Sequence, residues 1–435
     1  MATIRKPVAS RQLVLPSMED KANAQAASTF ASNMSLPIHR WFRYSAGFSA
    51  DWVRDLIENE KANGRRRVFD PFVGSGTTIL AAEATNVESI GVEAHPFVAR
   101  VARAKLRWRE DPGEYYRCAM SILASAKARR PASRNPTPPL LSKCYPAEAL
   151  TQLESLRLTI DAASDGSPNS SLAWLTLLAI LRDCSPVGTA QWQYVLPRKS
   201  KSRAAAPFDA FEAMAAIIRD DMLRRQMQPG GPPAQLFQED ARQCASAPDG
   251  WADLVITSPP YANNYDYADA TRLEMTFFGE IEGWSCLQNS VRRHLVRSCT
   301  QHVAPIKNDQ AFLEDAALAP IRTELQEVYG KLSFEKGRHG GKKPYDTMIA
   351  AYFADLARVW RTLRRVVAAD GLICLVIGDS APYGVHVPVE RWLGELALAA
   401  GFRTFEFEKT RDRNTKWKNR KHRVPLHEGR LWVKG

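Results

Sequence analysis

Four short runs of this chain carry residue types and spacings able to do chemistry. The first, Asp70-Pro-Phe-Val-Gly-Ser-Gly-Thr-Thr78, sets an acid at the end of an apolar run, then two glycines that let a ligand approach the backbone, then hydroxyls able to cap a helix. Such a turn holds a ligand's negative group at a helix N-terminus. A P-loop is excluded, because no Gly-Lys-Ser/Thr follows at the required spacing. The second run ends in Glu93, 23 residues after Asp70, close to the offset at which dinucleotide folds put a carboxylate on ribose hydroxyls. The third, LFQED, ends in Asp240, where a further strand of the same sheet would deliver an acceptor to a purine's exocyclic amine.

The fourth run, Thr257-Ser-Pro-Pro-Tyr261, is the most specific. Two prolines remove two backbone donors and fix two φ angles, so the carbonyls of Ser258 and Pro259 are rigidly held acceptors, and Tyr261 follows Pro260 directly. Acceptors beside an aromatic ring suit an exocyclic amino group on a base taken out of its stack.

These runs need a sheet to bring them together. Val68 to Phe72 reads as a strand, TTILAAEA as a helix and SIGVEA as a second strand, a strand, helix, strand unit that opens a doubly wound α/β sheet. Upstream, Trp52, Leu56 and Ile57 recur at helical spacing, with Ser49 as the cap. AQLFQEDA and ADLVITSPPY are further short strands, followed by a long amphipathic helix from Asp346 to Val367, the strand LICLVIGDS, the helix PVERWLGELALAAG and a closing antiparallel pair, FRTFEFEK and RLWVKG. The expected organisation is a flexible arm with one short helix over 1–36, a first part of the sheet domain over 37–108, a helical insertion over 109–232 as the candidate target-recognition region, and a second part over 233–435 with an irregular basic stretch at 280–345.

The chain has 435 residues, 45% hydrophobic and 24% charged, which describes a globular protein with core for two or three domains. Fifty-nine Lys and Arg against 47 Asp and Glu leave a net charge of +12, which points to a polyanionic partner, nucleic acid first. No apolar run approaches the roughly 20 residues of a membrane helix, and the N-terminus has no hydrophobic signal core, so the expected place is the cytosol. The seven cysteines show no CxxC pair, so neither a zinc site nor a disulfide framework is readable and reduced, mostly buried thiols are expected.

DPFVGSGTT followed by GVEAHP, EDA and TSPPY resembles the amino-methylating DNA methyltransferases. The resemblance implies a Rossmann-like seven-stranded methyltransferase sheet, with the helical insertion as an addition, and S-adenosylmethionine as cofactor. It assigns Asp70, Phe72, Gly74, Gly76 and Thr77 to the cofactor loop, Glu93 to the ribose, Asp240 to the adenine and Ser258, Pro259, Pro260 and Tyr261 to catalysis. Tyr44 to Ser49, with Phe48, is similar to the segment around the methionine end of the cofactor. Ser in the first catalytic position is the family's usual form for N4-cytosine enzymes, and Asp or Asn for N6-adenine enzymes, so N4-cytosine is favoured and N6-adenine is the alternative. An RNA base methyltransferase and a silent nucleic-acid-binding protein are further alternatives. C5-cytosine chemistry is excluded, because it needs a Pro-Cys nucleophile and none of the seven cysteines follows a proline. The implied setting is a bacterial cytoplasm, at the nucleoid, with double-stranded DNA as partner and a cognate restriction or defence protein as a further one.

For DNA the leading candidate is Lys409 to Arg423, where Lys409, Arg411, Arg413, Lys416, Lys418, Arg420, Lys421 and Arg423 stand against one Asp, with Trp417 among them. Other candidates are Arg198, Lys199, Lys201 and Arg203; Arg292, Arg293 and Arg297; and Lys336, Arg338, Lys342 and Lys343. The stretch Asn263 to Tyr267 is the expected pocket rim, with Tyr265 or Tyr267 as the candidate to hold the displaced strand. Glu406 to Lys409 resembles half of a nuclease site but reads as an ordinary strand of alternating Phe and Glu.

Overall fold

Short apolar runs alternating with amphipathic ones fold this chain around one sheet, described by a computed structural model over residues 30–44, 47–130, 137–187, 204–262, 265–306, 310–413 and 424–435. The strands are β1 (Arg67–Asp70), β2 (Glu88–Val92), β3 (Gln235–Phe237), β4 (Ala252–Thr257), β5 (Val367–Gly378), β6 (Thr404–Arg413) and β7 (Leu426–Lys434). Their order is β3-β2-β1-β4-β5-β7-β6. The first five are parallel, and β7 runs antiparallel to both β5 and β6.

This topology decides where a ligand can sit. The chain steps outward from β1 to β2 and β3, then returns to add β4 on the other side of β1, so a switch point lies between β1 and β4. The C-terminal ends of all five parallel strands share one edge. β7 begins at that same edge, because Glu428 pairs with Gly378 at the end of β5.

Helices cover both faces. The longer ones, in chain order, are α1 (Ala50–Ala62), α2 (Thr77–Ala84), α3 (Pro96–Lys105), α4 (Pro112–Ala128), α5 (Ala147–Ala163), α6 (Pro168–Ile180), α7 (Pro207–Gln226), α8 (Arg272–Phe278), α9 (Arg322–Arg338), α10 (Tyr345–Val366) and α11 (Val389–Ala399). Ser49 caps α1, accepting from the Trp52 N–H at 3.4 Å, and Val53 and Ile57 of α1 pack with Val68, Leu254 and Ile256. On the other side, α10 buries Phe353, Trp360 and Leu363 against the sheet and Trp392 of α11.

Helices α4 to α7 share one core with the sheet domain, in which Phe211 and Leu175 join Trp41, Phe97, Trp108 and Phe277. The tie is also polar: the buried Asp221 of α7 accepts from the Arg40 guanidinium at 2.6 and 2.9 Å and from the Trp41 indole N–H at 2.9 Å. Proline opens α3, α4, α6 and α7, where its missing N–H costs nothing.

The sequence reading of 1–36 as an arm with one short helix has its counterpart in the 3-10 helix Phe30–Ser35, where the buried Asn33 amide donates to the Phe48 carbonyl and accepts from the Ala50 N–H. The structure differs from the sequence reading in two places. The first strand stops at Asp70, since its carboxylate accepts from the Phe72 N–H at 2.9 Å and turns the chain. The stretch 280–345 is not irregular throughout: it contains the 17-residue α9, whose Leu325, Val328 and Leu332 are buried. Gly330 and Gly337 weaken that helix's signal, and tertiary packing overrides them.

All seven cysteines are free and five are buried. Among the described residues no helix is long and apolar enough to cross a membrane.

Candidate active site

At the ligand edge of the sheet, Asp70 ends β1 and Thr257 ends β4 beside it. The Thr257 hydroxyl donates to Asp70 Oδ1 at 2.6 Å. Burial pushes the Asp70 carboxyl up to about 6, against the pull of these hydrogen bonds. The loop then turns through Gly74 and Gly76, both left-handed at φ 55° and 99°. A Cβ at Gly74 would meet the Tyr44 ring at 3.1 Å, so only glycine passes between ring and turn without strain. The Gly76 carbonyl accepts from Leu80 N–H at 3.0 Å as the N-cap of α2.

Glu93, just past β2, brackets this loop. Its Oε2 accepts from the Gly74 N–H and its Oε1 from the His95 N–H, each at 2.8 Å. Burial pushes its carboxyl up to about 7, while these backbone bonds pull the other way. With about four lone-pair sites, the carboxylate keeps acceptor capacity for a further donor.

A half-open pocket lies over the switch point. Of the residues expected to hold a cofactor, Phe48, Phe72, Gly74, Thr77, Glu93 and Asp240 line it, and Ser258 and Pro260 line it with them. Asp70 and Gly76 do not: the carboxylate is spent inside the loop and the glycine packs against Leu80 and Ala102. Pro259 and Tyr261 also lie off this wall.

Asp240 is not a free acceptor. Arg242 grips its carboxylate through Nε at 2.9 and 3.0 Å and Nη2 at 2.5 Å, and reaches on to Asp355 at 3.0 Å. Arg297 binds the same buried Asp355, with Nε at 2.8 Å. Burial alone would raise the Asp355 carboxyl; the two guanidiniums hold it below its ordinary value.

The tetrapeptide is clamped from β5. Ser258 Oγ donates to the Val376 carbonyl at 3.1 Å, which leaves that oxygen only acceptor capacity. The Ser380 hydroxyl donates to the Ala262 carbonyl. Arg413 lies over the Tyr261 ring at 5.5 Å and donates to the Asp379 carbonyl at 2.9 Å. Burial raises the Tyr261 phenol above its ordinary value, so it stays protonated at neutral pH. Tyr267 lines the cavity, and Tyr265 stands edge-on to it at 4.8 Å. Between them Asp266 is anchored by Arg292 at 2.6 and 3.0 Å and accepts from the Ala268 N–H.

Sequence reasoning missed one wall of the cavity. His294, Leu295 and Val296 line it, carried by the VRRHLVRS segment. Arg292 and Arg297, read as DNA contacts, instead pin this wall to Asp266 and Asp355; only Arg293 of that group is exposed. The signal was present as an apolar Leu-Val pair between arginines, too short to stand out.

The basic hairpin also changes meaning. Lys409, Arg411 and Arg413 belong to β6, where Arg411 pairs with Glu428, Lys409 with Asp412, and Arg413 is turned toward Tyr261. Lys416, Lys418, Arg420, Lys421 and Arg423 lie outside the described residues, as do Arg198, Lys199, Lys201 and Arg203. Glu408 pairs with Arg430 at 3.0 Å on the same edge strand, an ordinary cross-strand pair.

A seven-stranded sheet of this order, with a glycine turn, a strand-end carboxylate and a rigid acceptor loop on one cavity, defines a Rossmann-like methyltransferase. A DNA methylase family model matches residues 17–104. Across 86% of its length the chain is 22% identical to the Type II methyltransferase M.BsoBI of Geobacillus stearothermophilus, covering 80% of that protein. It is 25% identical over the same share to the Type II methyltransferase M.AvaI of Nostoc sp. and that of Anabaena variabilis, covering 81% of each. A solved rRNA methyltransferase, aviRa from Streptomyces viridochromogenes, aligns over 93% of this chain and 92% of its own at 10% identity and a TM-score of 0.31, too low to bear on function. These matches make the chain similar to the S-adenosylmethionine-dependent DNA amino-methyltransferases. Its methyl donor is S-adenosylmethionine, and the cavity fits a nucleoside: Glu93 offers acceptors to hydroxyls and Gly74 keeps the wall beside it open.

Proposed function

We propose that this chain is a Type II DNA methyltransferase acting on the exocyclic N4 amine of cytosine in double-stranded DNA. The observation that carries the reading is that Ser258 and Pro260 stand on the same cavity wall system as Glu93 and Gly74, so a base delivered to the tetrapeptide meets whatever the glycine loop holds. S-adenosylmethionine supplies an electrophilic methyl group. Glu93, Gly74, Phe72 and Phe48 hold the cofactor, with Asp240, oriented by Arg242, beside its adenine.

The chain's own work is orientation. The carbonyls of Ser258 and Pro259, with Ser258 Oγ, accept the hydrogens of the target amine and turn its lone pair out of conjugation toward the methyl group. Tyr261 and Tyr267 flank the base, whose removal from the helix makes the amine reachable. The proton leaves after transfer, when the methylated nitrogen is acidic. The helical segment 109–232 is our candidate for target recognition, and Lys416, Lys418, Arg420, Lys421 and Arg423 are retained as DNA contacts. The setting is restriction-modification in a bacterial cytoplasm, alongside a cognate nuclease.

Expression in a methylation-free host, followed by sequencing that separates N4-methylcytosine from N6-methyladenine, tests the reading. N4-methylcytosine at one short motif is the expected result. N6-methyladenine there would overturn the base assignment.

A further inference from the structure

At the ligand edge, one strained residue, half-buried at the rim of the core, and one pair of exposed lysines are not used by the cavity. β5 ends at Gly378, and Ser380 bridges to Val387, so residues 381–386 are a short excursion with a fixed base. That base is bound to the catalytic loop through the Ser380 hydroxyl and the carbonyl of Ala262, the residue after Tyr261. At the tip, Tyr383 takes a left-handed backbone, φ 52° and ψ 19°, unfavourable for a residue with a Cβ. The conformation aims its ring: Tyr383 stacks on His339 at 4.6 Å with the planes 3° apart, and Tyr345 meets it edge-on at 4.7 Å.

Topology brings the turn between α9 and α10 to the same place. Helix α10 ends at Val366 and β5 starts at Val367, so α10 runs against the strands and begins at the edge where β5 finishes. The turn is made by Gly340 and Gly341, left-handed at φ 76° and 72°, and is followed by Lys342 and Lys343. Both lysines are exposed, and neither pairs with an acid among the described residues. Their neighbours Lys336 and Arg338 are paired, with Asp346 and Glu335. The outward face of α9 adds Lys331 and Phe334, three residues apart, with Phe334 69% exposed.

We propose that Lys342 and Lys343, on the platform of His339 and Tyr383, grip the phosphate backbone of the DNA duplex beside the extruded base. This rests on the reading of the chain as a DNA methyltransferase. Charge complementarity selects the occupant: two unpaired cations next to exposed aromatic surface, one short loop from the catalytic tyrosine, suit a polyanion with ring faces. Arg292, Arg297 and Arg411 are turned inward to carboxylates, so they do not compete for that partner.

The test is the double variant Lys342→Glu/Lys343→Glu in the full chain, assayed for duplex DNA affinity at several salt concentrations, for S-adenosylmethionine affinity and for kcat at saturating DNA. The expected result is at least a tenfold weaker DNA affinity and a logarithmic salt slope shallower by about 2, near 0.9 per lost phosphate contact. Cofactor affinity and kcat stay as in the wild type. A second variant, Tyr383→Gly, suits the left-handed backbone and removes only the ring; a several-fold higher KM for DNA with unchanged kcat is expected. DNA affinity and salt slope unchanged in the double variant, in an enzyme whose wild type methylates duplex DNA, would overturn this surface alone. No transfer to any duplex by the wild type would instead overturn the functional reading, and this surface with it.

Discussion

The Thr257 hydroxyl donates to the Asp70 carboxylate at 2.6 Å, joining the last residue of β1 to the residue before Ser258. The glycine loop and the acceptor loop leave adjacent strands, and this one bond ties their roots together. Both loops therefore depend on a buried acid that lies off the cavity wall.

Thr257→Val keeps the shape and removes the donor. It should cost on the order of 1–3 kcal/mol, because a buried acceptor loses a partner. The Asp70 carboxyl is already raised from 3.8 to about 6, so the stability it contributes is full below about pH 4 and is lost as pH rises through about 6. Losing the hydroxyl raises it further. Urea denaturation at pH 5 and at pH 7.5 should therefore show the larger loss at pH 7.5, and equal losses at both would contradict the role given to this bond.

With Glu93 on the cofactor as proposed, binding depends on pH. With its carboxyl at about 7, part of the protein is protonated there at neutral pH, and hydroxyl donors prefer the ionised form. Calorimetry should find S-adenosylmethionine affinity rising between about pH 6 and pH 8. In Glu93→Gln the affinity should be weaker at pH 8 and flat across that range. A variant that keeps the wild-type rise would move the titration to another group.

On the proposed mechanism, Ser258 and Tyr261 act on the amine rather than on the cofactor. Ser258→Ala and Tyr261→Ala should each lower kcat, on the order of 100-fold for a lost orienting group, with S-adenosylmethionine affinity nearly unchanged. A variant that loses cofactor affinity while transferring methyl groups at the normal rate would show the roles reversed.

Asp355 is the buried hub that takes Arg242 and Arg297 together. Asp355→Asn leaves two guanidiniums short of a counter-charge and should cost about 3–5 kcal/mol in a denaturant titration. The same change frees the wall of His294, Leu295 and Val296, so cofactor affinity should fall as well. A loss of stability with unaltered cofactor affinity would separate the hub from the wall.

The sequence by itself determined the runs that carry chemistry. Glycine pairs, strand-end acids and the Ser-Pro-Pro-Tyr turn are local devices, set by φ freedom, missing N–H groups and distance along the chain, so Gly74, Glu93 and Ser258 were legible before any fold was known. The strand, helix, strand unit and the closing hairpin were legible for the same reason, through their periods. What only the tertiary structure decided was partnership across long gaps in sequence. Asp70 meets Thr257 across 187 residues, and Arg297 meets Asp355 across 58. An arginine that holds DNA and one that holds a buried aspartate look alike in sequence, because the difference lies in where the opposite charge comes to rest. Arg292 and Arg297 thus changed from DNA contacts to anchors of a cavity wall, and Lys342 and Lys343, alike in type, stayed on the surface because no acid among the described residues was folded within reach.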